Sequence, residues 1–206
     1  MKAYIFCNGP ISDYGFLKNK DFSDCLVICA DGGMRHTERL KITPDVIVGD
    51  FDSAKSRLSD ISSVECPTHK DYTDTERCVD LAIERGCKEI ELIGAFGGRV
   101  DHEFSHYCLM AYALKKGASL VAVDEKNEAF MKDKPFRITD RKKKYVSFFA
   151  YGGTVEGLWL KGLKYELEGV SLRCDTTLSV SNEFLSDEDA EISFDKGILL
   201  VILSED

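Results

Sequence analysis

The sequence predicts an α/β protein in two parts: a parallel sheet covered by helices, followed by an all-β unit. Three observations carry this. In the first half, short apolar runs alternate with segments of helical periodicity, which implies parallel strands joined by crossover helices. After about Asn127 the strand-like pieces continue, with no long helical pattern between them. The chain has 206 residues, enough for one or two domains, and its 44% hydrophobic and 31% charged content suits a globular core.

The elements follow in order. AYIFC (Ala3–Cys7) and CLVICA (Cys25–Ala30) are apolar runs of the kind buried on both faces of a sheet. GGMRHTERL is a short helix ending near Lys41, and DVIVGD (Asp45–Asp50) and SSVECP (Ser62–Pro67) are the next strands. Thr73–Gly86 is the clearest helix. Thr73 and Glu76 form a capping-box pattern, Val79, Ala82 and Ile83 mark an apolar face, and Gly86 suits the stop. EIELIGA (Glu89–Ala95) is a strand, His102–Gly117 a helix, and SLVAVD (Ser119–Asp124) a strand. FRITD, KYVSFFAY, TVEGLWL, GLKYEL, AEISF and GILLVIL then read as an antiparallel sandwich or barrel, with Asp195–Gly197 as a hairpin turn between the last two. The change of pattern sets a boundary near Lys132–Arg137, hence domains of 1–132 and 137–206.

Composition excludes several classes. A net charge of -9 argues against a general nucleic-acid binder. The basic run Arg141–Lys144 reads as a solvated turn. Eight cysteines occur without a CxxC pair, mostly within apolar or helical patterns, as expected of reduced thiols in a cytosolic protein. The N-terminal apolar stretch is too short for a signal peptide, and no apolar run approaches the roughly 20 residues a membrane span needs. The expected location is the cytoplasm, without a membrane partner.

In parallel sheets, ligands collect beyond the carboxyl ends of the strands. The unusual residues fall there: ADGG (Ala30–Gly33), GDFDS (Gly49–Ser53), KDYTD (Lys70–Asp74) and GAFGGRVDH (Gly94–His102). Each alone is compatible with a turn, a helix cap or a solvated loop. Together they bring Asp31, Asp50, Asp52, Asp71, Asp74 and Asp101 toward one sheet edge, which favours a site. Asp50 and Asp52, two apart in extended chain, point the same way and repel unless a cation lies between them. Carboxylates without a Cys/His set suit a hard, oxygen-loving ion, and Mg²⁺ is the natural choice. Gly32, Gly33, Gly97 and Gly98 let backbone approach a ligand, and Arg99 can grip phosphate bidentately. The set suggests phosphoryl chemistry on a nucleotide. Neither a GxxxxGK motif followed by Ser or Thr nor a GxGxxG after the first strand is present, which disfavours a P-loop ATPase and an ordinary dinucleotide enzyme.

In this order and at these intervals, ADGG, PDVIVGDFDS, HKDYTDTE and GGRVDH resemble the thiamine pyrophosphokinase (thiamine diphosphokinase) family. GLKYEL (Gly162–Leu167) and VSNEF (Val180–Phe184) extend the likeness into the second half, so it covers most of the chain. The resemblance implies a Rossmann-like α/β/α catalytic domain, a thiamine-binding β-sandwich domain, and Mg²⁺-dependent transfer of pyrophosphate from ATP to the thiamine hydroxyl, leaving AMP. It implies Asp50, Asp52 and Asp74 as Mg²⁺ ligands, with Asp71 and Asp31 supporting the metal and phosphate network. Arg99 and Asp101 would hold nucleotide or phosphates, and Ser181 and Asn182 would lie at the thiamine site. It further implies a homodimer whose active site combines two subunits. The sequence departs from the family at His106, where an Asn is usual. His102 reads as a structural or supporting residue. Trp159 reads as a β-domain core or interface residue, with stacking on a thiamine ring as the alternative. The rivals are a metal-dependent nucleotide hydrolase, a kinase of another small alcohol, and a non-catalytic thiamine- or nucleotide-binding protein.

Overall fold

The computed structural model describes residues 1–49, 62–65, 72–140, 143–185 and 189–206. Asp50, Asp52, Asp71, Cys66, Arg141 and Lys142 lie outside these residues. The chain divides into two units, 1–125 and 126–206.

In the first unit the strands are β1 (Lys2–Phe6), β2 (Leu26–Ala30), β3 (Val46–Gly49), β4 (Ser62–Glu65), β5 (Glu89–Ile93) and β6 (Ser119–Val123). They stand in the order β4-β3-β2-β1-β5-β6, and every pairing is parallel. The order reverses between β1 and β5. The apolar runs predict this burial, since β1 from Ala3 to Phe6 is at most 3% exposed and β2 is buried throughout. On one face Tyr4 and Phe6 pack with Val27, Cys29 and Ile47, beneath Met34 and Leu40 and the β1–β2 connection (Phe16, Leu17, Phe22). Burying each such side chain contributes about 1.5–3 kcal/mol.

The helices are α1 (Met34–Leu40), α2 (Asp74–Glu84) and α3 (Val100–Lys115). Thr73 caps α2, its hydroxyl accepting from the Glu76 N–H at 3.1 Å as the capping pattern predicts. α2 buries Cys78, Val79 and Ala82, and is tied to α3 by the Tyr112 hydroxyl, which donates to Asp80 at 2.5 Å. α3 begins at Val100, two residues earlier than the periodicity places it, because Asp101 and Glu103 form its acidic first turn.

The second unit holds β7 (Asn127–Lys132), β8 (Phe136–Ile138), β9 (Tyr145–Ala150), β10 (Val155–Lys161), β11 (Leu167–Leu172), β12 (Asn182–Glu183), β13 (Ala190–Ser193) and β14 (Leu199–Ser204). β12-β9-β14-β7 and β11-β10-β13-β8 form two antiparallel arrays. Their inner residues share one core, including Phe148 and Val201 from the first and Leu158, Leu160 and Ile192 from the second. Lys143 and Lys144 of the basic run pair with Glu205 and Asp206.

Three features of this unit differ from the expectation. Asn127–Lys132 is a strand that the pattern reading passes over; it alternates, with Ala129 and Met131 buried, and pairs along its whole length with β14. GLKYEL is mostly a turn, entered at Gly162 (φ 72°) and closed by the Gly162 N–H on Glu166 at 2.9 Å, so the strand starts at Leu167. Asp195–Gly197 is no hairpin: β13 pairs with β10 and β8, whereas β14 pairs with β7 and β9. The turn changes sheet, held to β10 by the Asp195 N–H on the Glu156 carbonyl and the Glu156 N–H on the Lys196 carbonyl, both 2.9 Å.

Candidate active site

A cleft of about 380 Å³ opens at the carboxyl ends of β1, β2 and β5. Its floor is Cys7, Asn8 and Gly9 after β1; its walls are Asp31, Gly94, Ala95, and the beginnings of α2 and α3. It therefore lies where the strand order reverses, the usual ligand position in an open parallel sheet. Two helix N-termini meet it: Thr73, Asp74 and Thr75 from α2, and Arg99, His102, Glu103 and His106 from α3. The partial positive charge at a helix N-terminus favours an anion.

Local geometry explains the residue choices. Asp31 opens a single tight helical turn (Asp31–Gly33) with φ at 44°, a conformation that Asp and Asn tolerate better than most. A side chain at Gly33 would come within 2.0 Å of the Phe6 carbonyl, and one at Gly32 within 2.5 Å of Asn8. Gly33 is therefore needed to seat this turn on the end of β1, whereas a side chain at Gly32 would displace only the Asn8 amide. Gly94 and Gly97 take φ of 72° and 75°, which turns the chain after β5 back over the cleft.

The side chains are held as follows. Arg99 forms a two-pronged pair with its near neighbour Asp101, Nε to Oδ1 at 3.1 Å and the terminal nitrogen to Oδ2 at 2.6 Å. Asp101 also accepts from the His102 N–H at 2.9 Å. The Arg99 bond holds the Asp101 carboxyl below the usual carboxylate range. Glu103 accepts from the Gly97 N–H at 3.3 Å. His106 is buried, and its Nδ1 donates to the Ala95 carbonyl at 2.8 Å, leaving Nε2 as the acceptor of a neutral ring. Burial holds that ring's pKa below the ordinary histidine value. The Cys7 thiol is pushed by burial up to about 12, so it serves the floor as an apolar group and not as a nucleophile.

Of the residues singled out in the sequence, Asp31, Asp74 and Arg99 line one cleft, and Asp101 joins them through Arg99. Gly32 and Gly33 lie in the turn that carries Asp31. Ser181 and Asn182 belong to the second unit. Ser181 has φ at 57° and donates its N–H to the Ser147 hydroxyl at 2.9 Å. Asn182 is buried; its amide donates to the Tyr165 carbonyl at 2.7 Å and accepts from the Tyr165 N–H at 3.0 Å. This joins VSNEF to the GLKYEL turn. Sequence reasoning missed Asn8 and Gly9, although the Asn-Gly-Pro turn signal stands at the end of the first strand. Among the described residues, no group of three or more His, Cys, Asp or Glu is arranged to hold a metal ion. Two of the cleft's carboxylates, Asp31 and Asp74, offer the oxygen donors that a hard divalent cation takes.

A parallel α/β unit with a charged cleft at its switch point, followed by an antiparallel β unit, is the plan of a two-part ligand-binding α/β protein. Comparison with known proteins gives the particular family. Residues 19–122 match the family model described as the catalytic domain of thiamin pyrophosphokinase, and residues 135–199 the one described as its vitamin B1 binding domain. The thiamine pyrophosphokinase of Bacillus subtilis (strain 168) is 30% identical over 173 residues, covering 80% of each chain. The crystal structure of thiamine pyrophosphokinase from Bacillus subtilis aligns over all of both chains with a TM-score of 0.91 at 28% identity. That of thiamin pyrophosphokinase from Geobacillus thermodenitrificans aligns with 0.88 at 29% identity, over 100% of this chain and 98% of that one. The chain belongs to the thiamin pyrophosphokinase family and is a transferase. No helix among the described residues is long and apolar enough to cross a membrane.

Proposed function

We propose that the cleft binds the triphosphate of ATP and that the protein transfers its terminal pyrophosphoryl group to the hydroxyl of thiamine. The observation that carries this is the position of Asp31, Asp74 and Arg99 in one cleft at the reversal of strand order, facing two helix N-termini. In the reaction the thiamine oxygen bonds to the β-phosphorus, the bond from that phosphorus to the α–β bridging oxygen breaks, AMP leaves, and the hydroxyl proton is released. The α2 and α3 N-termini hold phosphate oxygens, and Asp101 keeps the Arg99 guanidinium oriented at the cleft. Asp74, with Asp50 and Asp52, would hold Mg²⁺, and Asp31 and Asp71 would support that network. When bound, Mg²⁺ neutralises charge that develops on the phosphate oxygens.

In this reading the first unit is a Rossmann-like catalytic domain and the second a thiamine-binding β-sandwich. The description of the second matching family model supports that division. Ser181 and Asn182 shape the thiamine site through the Tyr165 turn. Tyr165, Leu178, Val180 and Leu185 are 41–59% exposed around them, a patch suited to cover by a second copy. That supports a homodimer, with the site completed across subunits, and we read the enzyme as cytoplasmic. The test is Asp74→Asn. It should abolish thiamine diphosphate formation while lowering stability by no more than about 1 kcal/mol, the usual worth of one charge at a helix start. Near-normal turnover at saturating Mg²⁺ would remove Asp74 from the metal site.

A further inference from the structure

The floor of the cleft is held from behind by α1. The Asn8 carbonyl accepts from the Arg35 guanidinium at 2.6 Å, and the Gly9 carbonyl accepts from it at 2.9 Å. The Gly9 carbonyl also accepts from His36 Nε2 at 2.9 Å. A carbonyl only accepts, so Nε2 carries the proton and Nδ1 accepts from the Tyr14 hydroxyl at 2.5 Å. Arg35 Nε lies 3.4 Å from the same Nε2, too far to compete with the Gly9 bond. Arg39 lies over the Tyr14 ring at 4.6 Å, closing the chain at the surface. On its other side Gly9 donates its N–H to the Gly94 carbonyl at 2.8 Å. The peptides on both sides of Gly9 are thus pinned, from α1 and from the β5 loop. His36 is 2% exposed, and burial, aided by the Arg35 and Arg39 charges and opposed by the Gly9 bond, holds its pKa below the ordinary histidine value.

We propose that His36 is a positioning residue for the transfer reaction: it touches no substrate, but holds the Gly9 carbonyl toward α1 so that the Cys7–Gly9 floor keeps its shape and its peptide oxygens turn away from the anionic ligand. This rests on the reading that the cleft takes the triphosphate. Tyr14 acts one step further back, by fixing the imidazole tautomer. Displacing a floor by about 1 Å costs up to about 100-fold in rate. His36→Phe, which keeps the bulk and loses the donor, is expected to lower kcat about tenfold or more. The KM for thiamine should stay within about twofold of wild type, because this change leaves the substrate's own contacts alone. His36→Gln places an amide N–H near the Nε2 position and should restore kcat to within about threefold of wild type. Tyr14→Phe, which keeps the imidazole, should fall between the two.

The experiment is steady-state kinetics of thiamine diphosphate formation for the four proteins, with thermal unfolding measured on each. A folded H36F with wild-type kcat, or an H36Q as impaired as H36F, would overturn the proposal. Should H36F not fold, a Y14F with wild-type kcat and a lowered Tm would overturn it as well. An active wild type with an unimpaired H36F removes this inference alone. A wild type that makes no thiamine diphosphate removes the reading of the cleft, and this inference with it.

Discussion

Gly9→Ala isolates the close approach that forms the cleft floor. Gly9 does not have a positive φ, so alanine brings no conformational penalty of its own. The cost is steric. The added Cβ would lie 2.3 Å from the Gly94 carbonyl oxygen and 2.8 Å from that of Phe96, both backbone atoms. Ordinary carbon–oxygen contacts lie at about 3.3–3.6 Å, so the β1 and β5 loops must separate by roughly 1 Å. Overpacking of this kind costs about 1–3 kcal/mol. For a chain of this size that lowers Tm by about 2–12 °C. The same displacement in the cleft should lower kcat by up to about 100-fold. Gly117→Ala is the matched control. Gly117 has φ at 75° and open space around it, so alanine there costs about 1–2 kcal/mol through backbone strain alone. It follows α3 at the end away from the cleft, about 24 Å along a 16-residue helix. Thermal unfolding and initial rates should show similar losses of Tm for the two variants, with lost turnover only for Gly9→Ala. A Gly9→Ala protein with wild-type Tm and rate would refute the packing of the two loops.

Thr73→Ala removes the α2 cap and should cost about 1 kcal/mol, read as a Tm lower by about 2–4 °C; an unchanged Tm would mean that the hydroxyl does not cap the helix. Burial holds His36 and His106 below the ordinary histidine pKa, so below about pH 6.5 the unfolded chain binds protons that the folded one refuses. Their contribution to stability is complete above that pH and is lost as the pH falls through the folded values. Tm should fall between pH 7 and 5, and His106→Gln should flatten part of the fall; an equally steep profile in the variant would assign the effect to other groups.

The first unit was largely legible because β1, β2 and β3 are short, mostly apolar runs buried on both faces, a signal that survives without any alignment. The α2 start was legible for a local reason: the Thr73 hydroxyl and the Glu76 N–H lie within one turn. The second unit was read less well. Strand β7 alternates only weakly, with Ala129 and Met131 buried and Glu128, Phe130 and Lys132 half-buried, a faint pattern beside a β1 that is apolar from Ala3 to Phe6. The change of sheet at Asp195–Gly197 depends on pairing with β10, which is distant in sequence and invisible to turn chemistry. At the cleft, the acidic residues and glycines announced a site, but the reason for Gly32 and Gly33 did not. These residues fit the end of β1, a contact between separated parts of the chain. The floor at Asn8 and Gly9 carries no charge and so drew no notice. His36 lies inside a short helix whose sequence gives no sign that its ring reaches back to the first strand.

Movement of a pyrophosphoryl group from ATP to thiamine at this cleft leaves a distinct set of products. The most direct measurement is product analysis: purified protein with ATP, Mg²⁺ and thiamine, with and without EDTA, quantifying AMP, ADP and thiamine diphosphate. AMP and thiamine diphosphate are expected in equal amounts, both lost with EDTA. ADP with thiamine monophosphate, or product formation indifferent to EDTA, would contradict that transfer.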